Sequence, residues 1–140
     1  MHFNLRTIFL IGILSVVRVA AKGQWLPTGP LPVGVSVNCI ALDGWNIFAG
    51  TGSLHRGNNG LGIFRSSNNG SDWTAVNNGL PVNAFVENIV ASGGNRFASV
   101  EGGGVFKSSD IGASWGVMTS GLENLSQALV FAVCSGRLFV

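Results

Sequence analysis

The chain has 140 residues, 46% of them hydrophobic and 10% charged, with 21 glycines, two cysteines and no tyrosine. Its formal charge of +2 comes from eight Lys and Arg against six Asp and Glu, and two of the basic residues, Arg6 and Arg18, lie in an amino-terminal segment that reads as a removable leader. What remains carries six charges of each sign and no basic stripe, so nucleic acid is excluded as an expected partner.

The leader is residues 1–21. Arg6 closes a short basic region, Thr7 to Val17 is a nearly unbroken apolar run, and Val19-Ala20-Ala21 supplies small residues where signal peptidase cuts, so cleavage is expected after Ala21 and export follows. An eleven-residue run is short of the roughly 20 that span a bilayer, so no stable membrane span is expected after processing. A buried first strand is the other reading of this segment. Arg18 within the cleavage region is atypical for a leader.

Residues 22–140 are long enough for one ordinary domain, and they repeat. The phrase SSNNGSDW from Ser66 to Trp73 returns as SSDIGASW from Ser108 to Trp115, offset by 42 residues, with Gly62-Ile63-Phe64-Arg65 before the first and Gly104-Val105-Phe106-Lys107 before the second. Gln24-Trp25-Leu26 begins a third copy that lacks the phrase. Each copy runs from its Trp through a Gly-Leu or Gly-Pro-Leu turn to a strand, a Gly turn and a second strand. Self-similarity at this period signals units that bury a common core by stacking.

The pattern predicts first strands near Val37–Leu42, Val86–Ala91 and Ala128–Val133, and second strands near Asn46–Ala49, Arg96–Val100 and Arg137–Val140. Third strands are expected near Gly62–Ser66 and Val105–Ser108, and outer strands near Asp72–Val76 and Ser114–Met118. No stretch reads convincingly as an amphipathic helix. Cys39 and Cys134 occupy different places in their units and read as small core residues in preference to a disulfide.

Inside the repeated phrase, Ser66, Asn68, Gly70 and Asp72 match Ser108, Asp110, Gly112 and Ser114. Short oxygen-bearing side chains at alternate positions bond to backbone two residues on, glycine takes a positive φ, and Trp73 or Trp115 closes the hairpin with an apolar ring laid across it. The run lacks the dense carboxylates and closing Glu of a calcium loop, so no metal and no cofactor is expected. Ser-x-Asp-x-Gly-x-(Ser/Thr)-Trp resembles the Asp-box, or BNR, repeat of sialidase-like β-propellers of the broader WD40/YVTN/BNR-like group. The second copy fits throughout, and the first departs at Asn68 and Asp72.

The resemblance covers essentially residues 22–140 and implies an all-β chain of four-stranded blades whose box hairpins are structural and lie away from the binding face. A ring needs about four to eight blades, and this chain supplies two and part of a third, so a partial, unclosed propeller is expected, as a fragment of a longer protein. Left alone, Val133 to Val140 is then an apolar sheet edge prone to aggregation. The superfamily also includes photosystem II assembly factor propellers, sortilin-type propellers and xyloglucan hydrolases, and the fold does not choose among them.

One segment breaks the repeat. The first unit carries seven extra residues, Ser53 to Asn59, between its second and third strands, on the face that binds ligands in such propellers. His55 and Arg56 in this insertion, with Glu101 in the equivalent loop of the next unit, are the candidate ligand contacts. Gly50-Thr51-Gly52 and Gly102-Gly103-Gly104 read as turns and lack the context of a phosphate cradle. Sialidases of this fold use a Tyr nucleophile, a Glu partner, an Asp acid/base and an arginine cluster. With no Tyr here, with Asp43 in a turn and with Asp72 and Asp110 in the hairpins, no catalytic residue is named. The leading expectation is an exported, non-catalytic module that binds protein or glycan. The alternatives are the amino-terminal part of a glycoside hydrolase propeller and a structural repeat array in a large surface protein.

Overall fold

A computed structural model describes residues 29–32, 36–52, 60–118, 132–134 and 137–139 of the chain. The described residues are all-β. Strands β1 (Ser36–Asp43), β2 (Asn46–Gly52), β3 (Ile63–Ser66) and β4 (Thr74–Ala75) form one antiparallel sheet in chain order. Strands β5 (Val86–Ser92), β6 (Asn95–Val100), β7 (Gly104–Ser108) and β8 (Gly116–Met118) form a second, and β9 (Ala132–Cys134) pairs with β10 (Arg137–Phe139). The predicted leader, residues 1–21, and the insertion bearing His55 and Arg56 lie outside the described residues, as does most of the stretch expected to hold the third unit's first strand.

The two sheets are copies down to their irregularities. Phe48 stands opposite Ala41, and Phe97 opposite Val90. Each first pairing shifts register at one point, between Val37 and Cys39 in one sheet and between Val86 and Asn88 in the other. A bulge repeated at the same place is a built feature that increases local twist.

Between the sheets lies one core. Phe48, Ile63 and Val86 have no exposed surface, and Ala41, Ile89, Ala98, Val100, Phe106 and Trp115 pack with them. The Asn38 side-chain amide crosses from the first sheet to donate to the Val86 carbonyl oxygen at 3.2 Å. Burial of this apolar surface, at about 25 cal/mol per Å², is what holds the sheets face to face.

Two boundaries differ from the sequence pattern. Gly50, Thr51 and Gly52 are not a turn. They extend β2 and pair with Cys39, Val37 and Ser36, which places backbone with almost no side chain against Val86 and Phe85 of the adjoining unit. The outer strands also start later than expected, at Thr74 and Gly116. Their predicted first residues are already bonded elsewhere: the Asp72 and Ser114 N–H groups donate to the side-chain oxygens of Asn68 and Asp110, and the Trp115 N–H donates to the Asn78 carbonyl oxygen.

Candidate functional site

An up-and-down sheet puts its connections alternately at two ends. At one end are the β1–β2 and β5–β6 turns and the two repeated hairpin loops. At the other are the end of β2, the start of β3, the β6–β7 turn and the segment from Val76 to Phe85 that links the sheets.

The hairpin loops come first, because their side chains make the same network twice. The Ser66 hydroxyl donates to Asn68 Oδ1 at 2.9 Å and accepts from the Gly70 N–H at 2.8 Å. Ser108 does the same with Asp110 Oδ1 and the Gly112 N–H, both at 2.8 Å. The next rung is reversed. In the first loop Asn68 Nδ2 donates to the Asp72 carboxylate at 2.9 Å, whereas in the second the Ser114 hydroxyl donates to the Asp110 carboxylate at 2.5 Å. The two departures at Asn68 and Asp72 are therefore one compensated exchange of donor and acceptor. The bonds from Ser114, side chain first and then backbone, with that from Ser108, hold the Asp110 carboxyl down to about pKa 2.

The second loop also ties the sheets together. Trp115 Nε1 donates to the Val76 carbonyl oxygen at 2.9 Å, and Arg65 Nη1 from the first sheet donates to the Ile111 carbonyl oxygen at 3.2 Å. Trp115 thus anchors its hairpin on the preceding unit, beyond closing its own loop. Arg65 thus bonds to the next unit's loop from the repeat position that Lys107 holds in the second unit. Trp73 is only half buried, and its Nε1 has no hydrogen-bond partner.

An ion pair that no sequence spacing announces sits near these loops. Arg96, on β6 and buried, pairs with Asp43 at the end of β1, and its Nη1 donates to the Gly94 carbonyl oxygen at 2.8 Å. The sequence pattern puts Asp43 in a turn, whereas it is the last paired residue of β1, opposite Asn46, and its partner 53 residues away was not legible. Cys39 is a free thiol packed against the core, and desolvation pushes it up to about pKa 11 despite hydrogen bonds from Gly50 and Ile89.

The opposite end carries Glu101. The side chain is exposed at the β6–β7 turn, and its N–H donates to the Phe85 carbonyl oxygen at 3.0 Å, joining the turn to the segment that links the sheets. Together Pro81 to Phe85 and Val100 to Gly102 line an open depression of about 370 Å³. The linking segment also meets the residues just before β3, since the Gly60 and Gly62 N–H groups donate to the carbonyl oxygens of Asn83 and Ala84 at 3.2 and 3.1 Å. Glu101 is thus placed in a depression at the end away from the hairpins, while His55 and Arg56 fall in the undescribed stretch 53–59. Two residues that the pattern did not single out shape this end. Asn77 accepts from the Ile63 N–H and donates to the Leu61 carbonyl oxygen, both at 2.7 Å, and the Thr51 hydroxyl donates to the Gly62 carbonyl oxygen at 2.8 Å. The only available signal was an Asn next to a strand end.

Among the described residues no group of three or more His, Cys, Asp or Glu gathers as a metal site, and no helix is long and apolar enough to cross a membrane.

No family model matches the chain, and no curated protein matches it. Among solved structures it is similar to YCF48 from Cyanidioschyzon merolae, a β-propeller protein, with a TM-score of 0.53 and 16% identity. The alignment covers 80% of this chain and 35% of that one, so the chain spans about a third of its structural neighbour. At this identity the likeness speaks to fold alone, and with the two stacked four-stranded sheets it establishes an all-β, unclosed part of a β-propeller.

Proposed function

We propose that the chain is part of an exported, non-catalytic propeller of the BNR or Asp-box kind, which binds a protein or glycan ligand at the end of the sheets bearing Glu101. The observation that carries the site is the depression between the linking segment and the β6–β7 turn, where a carboxylate lies among Pro81, Val82 and Phe85. Such a surface suits a ligand that offers a cation or hydroxyl groups beside an apolar patch, as a basic peptide or a sugar does. The repeat kind is supported by the shared hydrogen-bond network of the two hairpin loops, and export by the character of residues 1–21. The non-catalytic reading is supported by the carboxylates themselves: Asp72 and Asp110 are tied into hairpin loops, and Asp43 is ion-paired with Arg96.

The test is a titration of the chain with lysine- and arginine-containing peptides and, separately, with neutral oligosaccharides, following the amide signals of residues 81–85 and 100–102. Saturable shifts there, weakened at least about tenfold by Glu101→Gln, are expected. Binding that moves only signals of the hairpin loops, or that ignores Glu101→Gln, contradicts the assignment.

A further inference from the structure

In an Asn-Gly pair the backbone nitrogen reaches the preceding side-chain amide readily, because glycine puts no Cβ in the way. The chain has three such pairs, Asn59-Gly60, Asn69-Gly70 and Asn78-Gly79. In two of them the glycine nitrogen is tied up. Gly60 is buried and its N–H donates to the Asn83 carbonyl oxygen at 3.2 Å, while Gly70 is buried and its N–H donates to the Ser66 hydroxyl at 2.8 Å. The third pair differs in both respects. Asn78 and Gly79 are exposed, in the turn that the Leu80 N–H closes by donating to the Asn77 carbonyl oxygen at 2.9 Å. Among the described residues neither the Asn78 side chain nor the Gly79 N–H has a hydrogen-bond partner.

We propose that Asn78 is a site of self-modification, an amide that converts to isoaspartate and aspartate without an enzyme. The Gly79 nitrogen attacks Asn78 Cγ, its proton leaves with the side-chain nitrogen as ammonia, and a five-membered succinimide joins the two residues. Water then opens the ring. Cleavage of the Cγ–N bond gives aspartate. Cleavage between the nitrogen and the old backbone carbonyl carbon gives isoaspartate, in which the chain runs through Cβ and Cγ and is one carbon longer. The position gives the reaction its effect. The Asn78 carbonyl oxygen accepts from the Trp115 N–H at 2.8 Å, Gly79 lies too close to the Trp115 carbonyl oxygen to admit a Cβ, and the Val76 carbonyl oxygen accepts the Trp115 indole N–H. In isoaspartate the former Asn78 carbonyl becomes a free carboxylate off the main path, and the added carbon displaces Gly79. The stitch between the two sheets loosens.

The test incubates the full chain, folded and in urea, in mildly alkaline buffer and follows both Asn69 and Asn78 by proteolysis and mass spectrometry, with an isoaspartate-specific methyltransferase to count isoaspartate. In the folded chain Asn78 should convert at least about tenfold faster than Asn69, because the Gly70 N–H must first break its hydrogen bond and its loop must open. In urea the two rates should converge. Equal rates in the folded chain, or an Asn78 that stays intact there while it converts in urea, overturns the proposal. The isoaspartate form, separated by ion exchange, should exchange its Trp115 indole proton faster than the unmodified chain. Asn78→Asp, which adds the charge without the extra carbon, should not. An isoaspartate form that exchanges as slowly as the unmodified chain overturns the loosening of the junction.

Discussion

At residue level, the hairpin loops show that hydrogen-bond polarity is what the fold requires, more than particular residues. Asn68 with Asp72 and Asp110 with Ser114 complete the same rung from opposite sides. Ser114→Asp alone sets two carboxylates against each other and should lower the denaturation midpoint, while adding Asp110→Asn restores the first loop's arrangement and recovers most of the loss. Chemical denaturation of the two single variants and the double one measures this; additive losses would contradict the exchange. Ile111 is a second test, since it holds φ of 60° where the first loop has Asn69 at 57°. A β-branched residue is strained there, so Ile111→Asn should stabilise by roughly 1 kcal/mol, read as a raised denaturation midpoint. Asp110 also has a pH signature. Its folded pKa of about 2 lies below the ordinary 3.8, so its contribution is complete above pH 4 and is lost as pH falls from about 4 to 2. Asp110→Asn should flatten stability across that window.

At the scale of elements, strand positions were legible wherever the repeat imposed them. Each of the eight strands of the two full sheets overlaps its expected segment, because alternating apolar residues and Gly turns recur at a fixed offset. The errors have physical causes. Gly50-Thr51-Gly52 looked like a turn because small residues also serve where two backbones approach closely, and the outer strands lost their first residues to side-chain bonds invisible in a strand pattern. The Arg96–Asp43 pair lay beyond reach, since nothing in local spacing joins the end of a strand in one sheet to a strand in the next. Its removal is informative. Asp43→Ala strands a buried guanidinium and should cost about 3 kcal/mol, with Asp43→Ala/Arg96→Leu recovering much of it. Gly79 marks another junction: at φ of 90°, a Cβ there would run into the Trp115 carbonyl oxygen. Gly79→Ala should cost about 2 kcal/mol or more in a thermal melt, and a neutral result would contradict the junction.

Across the whole molecule, the architecture is two complete sheets stacked through one core, with hairpin loops stitched to the preceding unit at one end and a depression at the other. The sequence repeat made the stacking legible, because units of this size cannot bury both faces alone. Of the candidate site residues, His55 and Arg56 fall outside the described residues. The break in the repeat picked out the loops at one end, and the structure sets Glu101 in a depression there, but the bonds that shape this end, from Asn77 and Thr51, depend on which loops meet in space. The most direct test of the stacking is the indole N–H of Trp115. It donates to the Val76 carbonyl oxygen, while Gly112 of the same loop lies against the Phe48 ring of the first sheet. An isotope-edited NOE spectrum, with Trp115→Phe to assign the signal, should show this proton slow to exchange and close to protons of Val76 and its neighbours. A fast-exchanging Trp115 indole with contacts only within its own hairpin would contradict the stacked-sheet account.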